Sequence, residues 1–97
     1  MARRDYYLSV AGWRNQRHTV IEGNTLMMEV TLAACQHCPI CSQRIRTVET
    51  RLRETNATWR WESAGNGLYL AVELPEETMQ VGDYLTRLLG VSIRVTE

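Results

Sequence analysis

Residues 57–74 read ATWRWESAGNGLYLAVEL, and this stretch decides the fold class. Ala57, Trp59 and Trp61 alternate with Thr58, Arg60 and Glu62, while Leu68, Leu70, Val72 and Leu74 alternate with Tyr69, Ala71 and Glu73. A period of two puts the apolar members of each run on one face of an extended strand. Between the runs, Ala64-Gly65-Asn66-Gly67 supplies residues that enter positive φ at little cost, the chemistry of a tight hairpin. The stretch predicts two antiparallel neighbours, each with one face for a core and one for water.

Toward the C-terminus, Pro75-Glu76-Glu77 predicts a helix start, with proline in the first turn and acids beside the positive end of the macrodipole. A helix over Glu76 to Leu89 buries Val81, Tyr84, Leu85 and Leu88, and Gly90 caps it. Gly82 falls inside it at a cost of about 1 kcal/mol relative to alanine, which points to close packing against a neighbour. Val91, Ile93 and Val95 form a closing strand.

Toward the N-terminus, Cys41, Ile45, Val48 and Leu52 recur at steps of four, three and four, one face of a helix over Pro39 to Thr55. Arg44, Thr47, Arg51 and Glu54 occupy its remainder. Before it, Leu26, Met28, Val30 and Leu32 alternate with Met27, Glu29, Thr31 and Ala33, a half-buried strand. Glu22-Gly23-Asn24-Thr25 joins that strand to Arg17–Ile21 as a hairpin. A further β-prone run, Tyr6–Val10, precedes the turn-rich Ala11-Gly12-Trp13-Arg14-Asn15 with its one aromatic anchor.

From Leu26 onward the order is strand, helix, strand, strand, helix, strand. The simplest way to bury one face of every strand is an antiparallel four-stranded sheet with both helices on one side, a ferredoxin-like βαββαβ α+β sandwich. In this reading residues 26–97 are the core of a single domain, and residues 1–25 are an additional N-terminal β segment that extends the sheet at its edge. The free edge there predicts a homodimer paired through Tyr6 to Ile21. Glu29, Thr31, Arg60, Glu62, Tyr69, Glu73 and Arg94 make the other sheet face a solvated surface of mixed charge.

Eleven basic and eleven acidic side chains cancel, which argues against the positive field that phosphate-backbone binding requires and hence against nucleic acid as a partner. No run approaches the roughly 20 apolar residues of a membrane span. Asp5, Ser9, Gly12 and Arg14 interrupt the apolar stretch that a signal peptide needs, so the expectation is a cytoplasmic protein. Three cysteines are an odd number, and a reducing cytosol keeps them as thiols.

All three fall in Cys35-Gln36-His37-Cys38-Pro39-Ile40-Cys41, where the strand-like run stops and the helix-like run starts. A C-x-x-C at such a turn brings two sulfurs together, and the first helical N–H groups favour thiolate charge. Thiolates are the soft ligands that select Cu(I), Zn(II) and heavier thiophilic ions such as Hg(II). Glu29-Val30-Thr31-Leu32-Ala33 followed by Cys35-Gln36-His37-Cys38-Pro39-Ile40 resembles the strand, C-x-x-C-Pro-Ile and first helix of the heavy-metal-associated domains, especially small mercury-binding proteins. The resemblance implies the βαββαβ order and one soft metal ion carried between Cys35 and Cys38, passed on by ligand exchange.

Cys41 admits two readings. Its register with Ile45, Val48 and Leu52 suits a small core thiol, and its distance from Cys38 suits a third ligand. His37 is either an exposed loop residue or a further donor. Zinc held by Cys35, His37, Cys38 and Cys41 would crowd four ligands into seven residues, so a site shared between two chains is the better zinc geometry. An enzyme is not expected: His18 and His37 are the only histidines, neither lies in a nucleophile motif, and no glycine-rich phosphate loop is present. The competing reading is an interaction module that holds a peptide or protein partner on an edge strand or the open sheet face, with the cysteines incidental.

Overall fold

A computed structural model describes residues 3–32, 39–65, 67–75 and 80–96. The chain is an α+β fold, with six strands in one antiparallel sheet and two helices. In chain order these are β1 (Arg4–Val10), β2 (Arg17–Glu22), β3 (Thr25–Leu32), α1 (Pro39–Arg53), β4 (Trp59–Ala64), β5 (Gly67–Glu73), α2 (Val81–Leu89) and β6 (Ile93–Thr96). The helices pack on each other, and Val48, Leu52, Leu85, Leu88 and Leu89 share one core with Leu8, Val10, Ile21, Leu26, Met28, Val30, Leu70, Val72 and Ile93 of the strands. Both helices therefore cover one sheet face, as the amphipathic strands predict.

The turn chemistry is borne out. Gly23 and Gly65 take positive φ in the two-residue loops β2–β3 and β4–β5, and Trp59 pairs with Val72 and Trp61 with Leu70. Both indoles are half-buried against the core, packed edge to face with centroids 6.2 Å apart. α1 starts at Pro39 as expected but closes at Arg53: Glu54 N donates to Arg51 O and Thr55 N to Leu52 O, three residues back, which tightens the last turn.

Gly90 is the C-cap of α2, with φ 74° and its N–H donating to Thr86 O. A Cβ at this position would lie 2.8 Å from Arg51 Nε. Gly90→Ala is therefore expected to lower stability by about 1–2 kcal/mol from the left-handed backbone alone, read as a reduced midpoint in urea unfolding. Gly82→Ala meets only ordinary φ, but its Cβ would stand 3.1 Å from Val95 Cγ2. The close neighbour anticipated for Gly82 is thus β6, and Gly82 is the second residue of α2 rather than a mid-helix one.

Three expectations are corrected. First, the N-terminal strands do not extend an edge. The strand order is β4-β5-β3-β2-β1-β6, so the β1–β2 hairpin lies inside the sheet, with β2 on β3 and β1 on β6. The backbone groups of Tyr6 to Ile21 that were to pair two chains are largely engaged within one, and the sheet edges are β4 and β6. An apolar stripe tells which face of a strand is buried, but not which strands flank it, so it does not distinguish the two placements of the hairpin.

Second, α2 starts at Val81. Its N-cap Gln80 is extended, with φ −72° and ψ 110°, and Pro75 sits in a bend after β5 instead of in a helical turn; Glu76 and Glu77 lie outside the described residues. With the hairpin inserted, the chain crosses four strand spacings from β5 to β6, roughly 19 Å, and the extended Gln80 ahead of Val81 covers about twice the distance of a helical residue.

Third, Thr31 is buried rather than on the open face. The ladder runs Glu29 opposite Tyr69 and then Thr31 opposite Leu68, so β3 carries one extra residue there. That bulge turns Thr31 to the helix side, whereas Glu29, Arg60, Glu62, Tyr69, Glu73 and Arg94 remain at least partly exposed. A one-residue slip reverses every later side chain, and no Gly or Pro marks it in the sequence.

Candidate functional site

The cysteine-bearing connection runs from Leu32, where β3 ends, to Pro39, where α1 begins. Cys35, His37 and Cys38 lie outside the described residues, so Cys41 is the one cysteine whose surroundings are known. It stands in the first turn of α1, a free and only half-buried thiol. Along its helix face the burial deepens toward the C-terminus: Cys41 and Ile45 are half-buried, Val48 and Leu52 buried. The register with the core residues is correct, but the first turn lies near the limit of the packed layer. Cys41 is therefore accessible in a way that a fully packed core thiol is not. Among the described residues no group of three or more His, Cys, Asp or Glu is placed to hold a metal ion.

Beside this turn is a cleft of about 230 Å³ lined by Gly12, Trp13, Ile40, Arg44, Val48 and Leu89, among others. Ile40, immediately after Pro39, is 67% exposed, an unusual position for a large apolar side chain. Trp13 closes the cleft from the β1–β2 turn. The Arg44 guanidinium lies 4.5 Å from its ring centroid and that of the buried Arg17 5.2 Å away. Arg44 ties the turn to α1 and Arg17 ties it to β2 by cation–π attraction, roughly 0.5–2 kcal/mol each according to how dry the contact is. Trp13 was legible as an anchor, but its partner Arg44 was not: the two are distant in sequence, and a helix stripe assigns Arg44 only to the non-core side.

The open sheet face carries a second group of polar side chains. His18 Nε2 is 3.0 Å from Asp5 Oδ1, and the Tyr7 and His18 ring centroids are 5.7 Å apart. The hydrogen bond with His18 holds the Asp5 carboxyl below its usual range, with Arg3 helping. Across the sheet, burial raises the Tyr69 hydroxyl pKa, and the adjoining Glu29 carboxylate raises it further. Arg60 Nε donates to Glu62 Oε1 at 2.9 Å on β4. Sequence reading found one aromatic for this face, Tyr69; the register adds Tyr7, 47% exposed. The pairs are cross-strand or i,i+2 neighbours with solvent around them, an arrangement worth little to stability individually.

No helix among the described residues is long and apolar enough to cross a membrane. No family model, no curated protein and no solved structure matches this chain.

Proposed function

We propose that this protein binds one thiophilic metal ion, Cu(I), Zn(II) or Hg(II), through the Cys35 and Cys38 thiolates, with Cys41 and His37 as auxiliary donors, and releases it by ligand exchange. The observation that carries the reading is Cys41: it sits only half-buried in the first turn of α1, three residues after Cys38 and away from the fully buried part of its own helix face. Pro39 as first helical residue also supports it, because the helix N-terminus then adjoins Cys38 and favours negative charge on sulfur. Soft sulfur donors suit these ions better than Ca²⁺ or Mg²⁺. The thiols stay available in a reducing compartment, which makes the cytoplasm the setting for this role.

The same reading treats the sheet as a ferredoxin-like frame opened by the β1–β2 hairpin. Leaving β2 and β1 out of the order gives β4-β5-β3-β6, and alternating direction along the sheet makes β3 and β6 antiparallel. That is the strand arrangement of a split βαβ unit.

Metal uptake must displace thiol protons. Titrating reduced, anaerobic protein with Cd²⁺ as a thiophilic probe is expected to produce a thiolate charge-transfer absorption that saturates at one ion per chain, with protons released and apparent affinity falling as pH is lowered. Absence of that absorption, or uptake without proton release, would overturn the proposal.

A further inference from the structure

The fold leaves β4 as a sheet edge. Among the described residues no strand pairs with its outer side. The β4–β5 ladder fixes which backbone groups face outward. Ala64 and Gly67 close the two-residue hairpin, and Glu73 N donates to Thr58 O in the same register, so Thr58, Arg60, Glu62 and Ala64 direct their N–H and C=O groups to β5. Trp59, Trp61 and Ser63 direct theirs outward.

We propose that β4 is a self-pairing surface whose occupant is the β4 strand of a second copy of this chain, antiparallel and centred on Trp61. Only outward residues can exchange hydrogen bonds across such a joint, which leaves three two-fold registers that engage at least two of them. Centred on Arg60, the joint sets Arg60 against the partner copy's Arg60. A joint centred on Glu62 opposes the two Glu62 carboxylates. Both put like charges directly opposite on the open face, which is unfavourable. Centred on Trp61, all three outward residues pair, and each Arg60 faces a Glu62 across the joint, twice by symmetry.

The other face adds to the match. Trp61 is held by a 2.7 Å hydrogen bond from its Nε1 to Glu49 Oε1 of α1, so its ring is oriented before association. At the two-fold axis the two half-buried indoles become neighbours, and large rigid aromatics at the centre of an interface contribute most to binding. The opposite edge, β6, has only four residues, of which alternation directs two outward against three on β4, so it offers less to a partner.

The test is sedimentation equilibrium of reduced, metal-free protein, which excludes disulfide-linked and metal-bridged dimers. Wild type is expected at twice the chain mass. Arg60→Glu and Glu62→Arg are each expected to raise the dimer dissociation constant about tenfold to a hundredfold, because two attractive pairs become repulsive. The double swap Arg60→Glu/Glu62→Arg restores the pairing and is expected to return affinity to within a few-fold of wild type. Ser63→Pro, which removes one outward N–H and no ladder bond to β5, is expected to keep the native far-UV spectrum and lose the dimer. A monomeric wild type at hundreds of micromolar overturns the proposal, as does a dimer indifferent to the single charge changes or a double swap that fails to rescue.

Discussion

Leu8→Ala is expected to destabilise the protein by about 2–5 kcal/mol, the cost of removing a fully buried leucine from a packed core. Leu8 is 0% exposed, pairs with Arg17 on one side and Val95 on the other, and belongs to the same core as Leu52, Leu70 and Leu85. Against a total stability of roughly 5–15 kcal/mol for a domain of this kind, the change removes a large part of what holds the chain folded. Urea unfolding followed by far-UV circular dichroism reads it as a lower midpoint at unchanged slope. If β1 were an appendage on a sheet edge, the loss would be a small fraction of this. Tyr7→Ala, one residue away on the open face, provides the contrast: Tyr7 is 47% exposed with its ring centroid 5.7 Å from that of His18, so its removal is expected to cost less than about 1 kcal/mol.

The elements of this fold are legible because they are local. The alternation in 57–62 and 68–74, the Gly-Asn loops after Glu22 and Ala64, and the stripe from Ile45 to Leu52 each depend on residues near one another, and each reappears in the structure. What escapes the sequence is lateral. The hairpin of β1 and β2 is visible as a hairpin-forming pair of runs, but its insertion between β3 and β6 is a choice among distant partners that the period of two does not record. The late start of α2 and the contact of Trp13 with Arg44 follow from that insertion or from the packing around it, so they were illegible for the same reason. The bulge after Glu29 is a one-residue event with no marker residue, and it moved Thr31 from the open face into the core. For the candidate site, the C-x-x-C spacing and Pro39 are plain in the sequence; the incomplete burial of Cys41 is not, because it depends on how far α1 reaches past the packed layer.

The largest functional effect is expected from Cys35→Ser/Cys38→Ser. A structural four-ligand zinc site is worth roughly 10–16 kcal/mol of binding free energy, so each strong thiolate ligand carries about 3 kcal/mol, and losing two is expected to weaken metal binding by more than a thousandfold. Neither serine supplies a soft anion at neutral pH. Cys41→Ala is expected to act differently. As an auxiliary ligand on a half-buried helix position, Cys41 contributes a smaller share, and its loss is expected to weaken binding about tenfold or less with only a small change in urea midpoint. A Cys41→Ala variant that lost several kcal/mol of stability at unchanged affinity would assign this thiol to the core instead.

The most direct measurement is an anaerobic competition titration against a chromophoric chelator of known affinity, run in parallel on reduced wild type and Cys35→Ser/Cys38→Ser at neutral pH. Wild type is expected to withdraw one thiophilic ion per chain from the chelator, and the double variant to leave the chelator fully loaded. Equal withdrawal by the two proteins would contradict metal binding through Cys35 and Cys38.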